Sequence, residues 1–290
     1  MAASPPILSR RRYQIQRAGF AALLMATLVT VVPIILIAAL ILWRGAPAIS
    51  WEFLTQPPRQ GMREGGILPA ILGTLWLTLG TGVLAVPFGV AAAIYLAEYA
   101  PESRWTRTIR VAIISLAGIP SVVYGLFGLG LFVLFLGFGT SILAGSFTLA
   151  IMTLPVIIST AEEALRSVPQ SFRVVSISLG GTQWQTIRRI VLPEALPGIL
   201  TGVILGLERA AGETAPILFT AAAFFLPRLP TSPLDATMAL PYHLFVISTQ
   251  VPGMPIRLQY GTAAVLLVFV LGMNILATVV RSRARARRQW

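Results

Sequence analysis

Lysine and cysteine are absent from this chain of 290 residues, and His243 is its single histidine. Without lysine there is no phosphate-binding loop ending in Gly-Lys-Ser/Thr and no Schiff-base chemistry. Without cysteine there are no disulfides or thiolate metal sites, and one histidine cannot build a histidine metal cluster. We therefore expect a protein that is not an enzyme and binds no cofactor or metal; if its work needs ATP, another chain binds the ATP and magnesium. His243 is expected in a loop or an interface.

Charge is also scarce in this sequence. Only 11% of the residues are charged and 56% are hydrophobic, whereas about a quarter of a soluble domain is charged. This composition predicts an all-α integral membrane protein. The net charge of +12 comes from 22 arginines set against ten acidic residues.

Six stretches are long and apolar enough to cross the membrane, because a transmembrane helix needs about 20 apolar residues. The first is too long for the apolar core of a secretory signal, so we interpret it as a retained span. The six are residues 18–42, 67–97, two helices within 111–161 that are separated by a turn at 136–141, 197–225 and 258–280.

The arginines predict the orientation of these spans. Sixteen arginines lie on the side that carries both termini, five lie on the other side, and Arg209 lies inside the fifth span. Because positive residues stay in the cytoplasm, both termini are expected there. The predicted order is a tail 1–17, the first span 18–42, a periplasmic loop 43–66, a helical domain 67–280 with a cytoplasmic loop 162–196, and a basic tail 281–290. We expect the tails to meet anionic lipid rather than nucleic acid.

Three ionisable residues inside the fifth span are the strongest indication of function. Glu208, Arg209 and Glu213 would together cost about 8–10 kcal/mol if they faced lipid, at ~2.5–3.5 kcal/mol each. Counted from Pro197, Arg209 lies about 18 Å into the span, and it shares a helix face with Glu213. Arginine presents a fork of donors that matches oxyanions. Gly212 leaves room beside the pair, and Pro216 is expected to disturb the helix one turn later.

Two interpretations of these charges stay open. Either they line a substrate pathway, or Arg209 and Glu213 form a structural ion pair; Glu208 would bond to a neighbouring helix or a partner. The pathway interpretation includes Arg209, Glu213, Glu208 and Thr214.

The loop between the fourth and fifth spans has apolar residues at helical spacing. Leu165, Val168, Phe172, Val175 and Leu179 form one stripe, and Gly180-Gly181 interrupts the pattern before Trp184 resumes it. Two short helices at a sharp angle are predicted, and Pro193 and Pro197 fit the start of the next helix. The loop either packs under the span helices or fits a groove in a cytoplasmic motor.

The spacing of Gly180, Ile190, Leu192 and Pro193 resembles the cytoplasmic coupling loop of bacterial ABC importer permeases. The family loop usually opens Glu-Ala-Ala, where this chain has Val174-Val175-Ser176, which removes an acidic side chain. By this resemblance the residues that couple to an ATPase are Val174, Val175, Ser176, Gly180, Gly181, Thr182, Trp184, Ile190, Leu192 and Pro193.

Three further stretches narrow the resemblance. Residues 78–96 resemble the first conserved stretch of these permeases, 116–129 the phosphate-importer branch, and 209–220 the A-type subunit of that branch. The C-type partner typically continues with methionine after Gly-Glu-Thr, and sulfate or molybdate permeases usually have Gly-Glu-Phe-Gly. The resemblance implies the MetI-like fold of type I importers, with six transmembrane helices in the whole chain. The ABC transmembrane type-1 domain, which contains the second to sixth of these helices, is expected over residues 67–280.

The resemblance also implies partners and a location. These are a second, C-type permease subunit, two ATPase subunits, a periplasmic phosphate-binding protein and inorganic phosphate, at the bacterial inner membrane. Two alternatives remain: a permease for another oxyanion such as sulfate or molybdate, and a secondary transporter driven by an ion gradient. A membrane enzyme acting on lipid phosphates is disfavoured, because the acidic residues are few and scattered.

Overall fold

A computed structural model describes residues 10–286 of the chain. Parts of both predicted tails, residues 1–9 and 287–290, lie outside the described residues. The first half contains these elements: α1 (Arg10–Gly45), α2 (Trp51–Thr55), β1 (Pro58–Arg59), β2 (Glu64–Gly65), α3 (Leu68–Ile94), α4 (Arg104–Ala117) and α5 (Ser121–Gly128). The second half contains α6 (Ile142–Arg166), α7 (Gln170–Ser178), α8 (Gln183–Thr186), α9 (Leu192–Gly212), α10 (Ala215–Thr220), α11 (Leu240–Thr249) and α12 (Ile256–Ala286).

Wide π-helical turns extend three of these helices. Tyr95–Tyr99 continues α3, Leu129–Phe135 continues α5, and Ile187–Val191 joins α8 to α9. Within the described residues, five helices are long and apolar enough to cross a membrane, and a sixth span is formed if α4 and α5 are counted together. The all-α membrane architecture predicted from composition is confirmed. The strands β1 and β2 form a small antiparallel hairpin beside α2.

The centre of the bundle is built from α3, α6 and α9. Glycines allow their backbones to approach closely, as small residues do between membrane helices. A Cβ on Gly202 would lie 2.7 Å from Cβ of Thr160, and one on Gly89 would lie 2.7 Å from Cγ2 of Ile157. The long helices α1 and α12 pack together outside this centre. Most apolar side chains of α1 are exposed, whereas most of those described in α12 are half-buried.

The third span is broken, which the apolar pattern of the sequence did not indicate. The turn at 136–141 is present, but α4 and α5 are bent by 100° at residues 118–120. Pro120 explains the break, because its ring clashes with the carbonyl four residues earlier and it has no N–H to donate. The hydroxyl of Tyr124 donates to the Leu116 carbonyl across the bend, at 2.8 Å.

The fifth span differs from the helix predicted over 197–225, for which only a disturbance near Pro216 was expected. Its helix begins earlier, with Pro193 in the first turn of α9 and Pro197 inside the helix, and ends at Gly212. Glu213 has an extended backbone (ψ 137°), and only the short helix α10 follows before a loop. The carbonyl four residues before Pro216 belongs to Gly212, so the proline stops the helix one turn earlier than expected.

His243 does not lie in a loop, one of the two places expected for it. The segment between the fifth and sixth spans contains α11, a helix that packs against α3, α10 and α12. His243 lies on the buried side of α11 and is only 2% exposed. Pro241 occupies the first turn of α11, where proline is tolerated.

Candidate functional site

Arg209 and Glu213 form an ion pair where α9 ends. Nε of Arg209 lies 3.4 Å from Oε1 of Glu213. The side chain of Arg209 is 34% exposed in the isolated chain and that of Glu213 is 18% exposed. The prediction that the two share a helix face was wrong in its geometry, because Glu213 is no longer helical. Although the helix ends between them, the two side chains still form one long hydrogen bond, not a bidentate pair.

The depth of this pair follows from the register of α9 against α6. The two helices approach closely at Gly198 and Ala164, at Gly202 and Thr160, and at Gly206 and Ile157. They are therefore antiparallel, and each step of about four residues along α9 corresponds to a step of three or four residues back along α6. Continuing by three residues places Arg209 level with the middle of α6, which itself has 25 residues and spans about 37 Å at ~1.5 Å per residue. The pair therefore lies at the mid-height of the bundle.

Two stretches that are distant in sequence meet beside the pair. The helix α5, which lies within the stretch 116–129, packs on α10, which lies within the stretch 209–220, with Gly125 at the contact. A Cβ on Gly125 would lie 3.0 Å from Cα of Pro216 and 3.1 Å from the carbonyl oxygen of Ala215. The helix that follows the break in the third span therefore touches the fifth span close to its break. Each stretch was singled out in the sequence, but their contact requires the bend at 118–120, which the sequence pattern did not indicate.

The space beside the pair is open. A Cβ on Gly212 would meet no atom within 4 Å, in agreement with the room expected there. Thr214 is half-buried, and its carbonyl accepts the first hydrogen bond of α10 from the Leu218 amide. Oε1 of Glu208 is buried and has no hydrogen-bond partner within the described residues, so the bond predicted to a neighbouring helix of this chain is not formed. Glu208 does not join the Arg209–Glu213 pair.

The loop between the fourth and fifth spans folds as two short helices around a glycine turn, as predicted. Gly180 has a positive φ of 84°, which favours glycine. Thr182 then caps α8 reciprocally with Gln185. The hydroxyls of Ser176 and Thr186 lie 2.8 Å apart and join the two helices. The loop is therefore a compact unit, which we call the knob (residues 170–186).

Apolar side chains cover the outside of the knob. Val174 and Val175 are each 57% exposed, Trp184 is 53% exposed and Leu179 is 84% exposed. The predicted stripe is divided: Leu165 and Val168 are buried in the bundle, whereas Val175 and Leu179 point outward. Of the other residues proposed for coupling, Ile190, Leu192 and Pro193 are half-buried in the stem that leads into α9. An exposed apolar surface of this kind on a folded unit is typical of an interaction site.

A network of ion pairs under the bundle was not found from the sequence. Arg173 binds Glu98 with two guanidinium nitrogens, at 2.6 and 3.1 Å. Nearby, Glu162 accepts from Arg110 at 2.7 Å and from Arg166 at 2.9 Å. Glu162 and Arg166 are four residues apart on α6, a spacing that suits an ion pair. The contacts of Arg110 with Glu162 and of Arg173 with Glu98 join residues 52 and 75 positions apart, so no spacing pattern could reveal them.

Glu102 is the exposed outer member of this network. It lies within 3.3 Å of both Arg110 and Arg166. The hydrogen bond from Arg166, with the charge of Arg110, holds the pKa of Glu102 below its ordinary value. In the part of the chain that the structure describes, no group of three histidine or acidic side chains is placed to hold a metal ion.

Comparison with known proteins decides the family. The family described as "Binding-protein-dependent transport system inner membrane component" matches residues 85–288. The chain belongs to this family. Among relatives, it is 34% identical to the probable ABC transporter permease protein YqgI of Bacillus subtilis over 251 residues, which covers 82% of this chain and 85% of that protein.

Another relative is the phosphate transport system permease protein PstA 1 of Mycobacterium tuberculosis. The permease is 33% identical to it over 266 residues, covering 90% of this chain and 85% of that protein. An inward-facing structure of the MetNI methionine ABC transporter has the same fold, with a TM-score of 0.61 at 18% identity over 75% of this chain and 95% of that one. The predicted MetI-like fold is confirmed.

Proposed function

We propose that this permease is the A-type membrane subunit of an ATP-driven importer of inorganic phosphate. It forms half of the translocation pathway, and a C-type permease subunit forms the other half. The support comes from phosphate permease relatives that align over most of their length. It also comes from the 116–129 and 209–220 stretches, which meet at the mid-height of the bundle.

The Arg209–Glu213 pair is the observation that carries the proposal. The guanidinium offers donors that suit phosphate oxygens and stays protonated where water is scarce. Its contact with Glu213 is a single 3.4 Å hydrogen bond, and both side chains keep exposed surface. Arg209 therefore exchanges between Glu213 and the anion, and the returning carboxylate repels the anion as it leaves. Glu208 and Thr214 flank this exchange.

The knob is the proposed attachment point for the motor. Its exposed apolar side chains, including Val174 and Trp184, fit a groove on an ATPase subunit. Two such subunits bind and hydrolyse the ATP with magnesium, so this chain is itself non-catalytic. In the proposed orientation both termini and the knob are cytoplasmic, and a periplasmic phosphate-binding protein docks over the outer segments 44–66 and 227–257.

The decisive experiment replaces Arg209 by glutamine in the complete importer. We expect Arg209→Gln to abolish uptake of labelled phosphate into vesicles while the complex still assembles in the membrane. The matched control is Arg107→Gln, the same change at an exposed arginine of α4, which should alter uptake by less than about twofold because surface charges contribute little. Normal uptake by the Arg209→Gln importer would refute the proposal.

A double variant separates the pathway role from a structural ion pair. Replacing one partner strands a charge in the bundle, whereas replacing both by apolar residues removes that penalty. We expect Arg209→Met with Glu213→Leu to give a stable importer that does not transport phosphate. Restored uptake would assign the pair to packing. Competition by sulfate or molybdate, measured in the unaltered importer, distinguishes phosphate from other oxyanions.

A further inference from the structure

Glu98 is attached to both helices of the knob. Its carboxylate receives two hydrogen bonds from the Arg173 guanidinium of α7, at 2.6 and 3.1 Å. Its backbone carbonyl accepts from the side-chain amide of Gln183 in α8, at 2.8 Å. Glu98 itself lies in the π-helical turn that ends α3. One residue of α3 therefore binds the knob on both sides of the Gly180-Gly181 turn.

These bonds are well protected and further supported. The side chains of Glu98 and Arg173 are only 7% and 13% exposed. Arg173 also donates to the carbonyls of Val168 and Leu165, at 2.7 and 2.9 Å, where α6 ends. A bidentate guanidinium–carboxylate pair fixes orientation as well as distance. Arg173 therefore holds the end of α3 and the end of α6 in one fixed geometry.

A cleft beside these bonds shows why they matter. It has a volume of about 440 Å³ and is lined by Ala97 and Glu98 from the end of α3, by Arg166 of α6, and by residues of α7, α8 and the turn that follows α8. The chain joins the knob covalently to α6 and α9 but not to α3. Across this cleft, α3 is linked to the knob by the bonds of Glu98.

We propose that Glu98 is a positioning residue that makes α3 move together with the knob when ATPase subunits displace it. A displacement of the knob then reaches all three central helices: α6 and α9 through the chain, and α3 through Glu98. Since α3 packs on α9 at Gly82–Leu207, close to Arg209, this link carries the motion to the level of the anion site. The inference rests on the permease role proposed above.

The test uses the complete importer in vesicles and measures phosphate taken up per ATP hydrolysed. We expect Glu98→Gln, which keeps the size and the backbone carbonyl, to lower this ratio by about tenfold, a coupling loss typical of a broken link between sites. ATP hydrolysis should stay within about twofold. Glu163→Gln is the matched control, an exposed carboxylate at the end of α6, and should leave the ratio unchanged.

A second variant breaks only the other attachment. Gln183→Leu removes the donor to the Glu98 carbonyl and leaves the ion pair, so we expect a smaller fall of about threefold, as for one neutral hydrogen bond. If Glu98→Gln does not assemble, Gln183→Leu decides the matter. A ratio within about twofold of the unaltered importer in the assembled variant overturns the proposal. The proposal is also overturned if phosphate uptake and ATP hydrolysis fall together, in proportion to the amount of assembled complex.

A distance measurement makes the inference independent of the cargo. Because the chain has no cysteine, spin labels can be placed at Tyr99→Cys and Ser178→Cys, on α3 and α7. The distance between them should be single and unchanged when ATP is added, and should become broad in Glu98→Gln. A distance that changes with ATP in the otherwise unaltered importer overturns the inference. Absence of phosphate uptake by that importer would instead count against the proposed function.

Discussion

Two ion pairs of this permease have opposite designs. At the mid-height of the bundle, Arg209 reaches Glu213 by one hydrogen bond of 3.4 Å, and both side chains keep exposed surface. Under the bundle, Arg173 binds Glu98 by two hydrogen bonds and is buried with it. The contrast fits the proposed roles, because a pair that opens in every transport cycle has to be weak, whereas a pair that transmits a displacement has to be strong.

The surroundings of the two pairs also differ: Arg209 has open space beside it, whereas Arg173 has additional hydrogen-bond partners. Arg209 lies where α9 stops, beside Gly212 and open space. Arg173 is tied in addition to two backbone carbonyls at the end of α6, and the neighbouring Arg110–Glu162–Arg166 contacts stiffen the same region. The position of a charge in the bundle therefore does not reveal its role. The number of hydrogen-bond partners that a charged side chain has, and its freedom to leave them, are better indications of that role.

We call Arg173–Glu98 the tight pair and Arg209–Glu213 the loose pair. The largest predicted effect is a loss of stability when the tight pair is broken. Arg173→Leu strands the buried Glu98 carboxylate and should lower the free energy of unfolding by about 3–5 kcal/mol. Arg209→Leu, the same change at the Arg209–Glu213 pair, also strands a carboxylate but should lower it by less, because Glu213 is 18% exposed and Glu98 only 7%. Melting temperatures of the purified complexes measure both. Replacing Glu98 and Arg173 together by leucine should recover part of the loss, and a greater loss in Arg209→Leu would reverse the comparison.

A smaller effect is expected from two glycines on either side of the loose pair. Gly125→Ala places a methyl group against the backbone of Ala215 and Pro216, so it should separate α5 from α10 and cost about 1–3 kcal/mol. Gly212→Ala meets no atom within 4 Å and should be neutral or stabilising by up to about 1 kcal/mol, since alanine favours helix. Melting temperatures of the complexes distinguish the two. Equal losses would mean that the space beside Gly212 is filled in the assembled importer.

The sequence predicted the architecture well, because a bilayer admits only long apolar helices that satisfy their own backbone hydrogen bonds. It also placed Arg209 near mid-height and the turn at Gly180-Gly181 correctly. It missed the break at Pro120. It predicted a disturbance at Pro216 but not that the helix stops as early as Gly212, because the effect of a proline on a helix depends on whether tertiary packing supports a kink or a break.

The tight pair could not be predicted from the sequence. Glu98 and Arg173 are 75 residues apart, and their contact depends on the π-helical turn that extends α3 and on the fold of the knob. No periodicity encodes such a contact. The exposed apolar face of the knob had a sequence pattern, but the pattern did not separate Leu165, which is buried, from Leu179, which is exposed.

The smallest predicted effect concerns the Asp235 carboxylate, which, among the described residues, is held by hydrogen bonds and not by an ion pair. Asp235, in the loop before α11, accepts hydrogen bonds from the backbone amides of Thr231 and Ser232 and from the Thr231 hydroxyl. These bonds, the backbone amides first, hold its pKa below the ordinary value of 3.8. Since the folded pKa is depressed, the stabilisation is fully present above that value and is lost as the pH falls through the folded pKa.

A spin label at Leu234→Cys reports the order of this loop. Its mobility should stay constant from neutral pH down to about pH 4 and rise below that, because protonation removes the charge that the amides hold. Asp235→Asn should give a mobile label at every pH. If the Asn variant is as well ordered as the unaltered loop, packing holds this segment. Hydrogen bonds to one carboxylate would then be too weak to order even a loop, which would strengthen the contrast with the bidentate pair at Glu98.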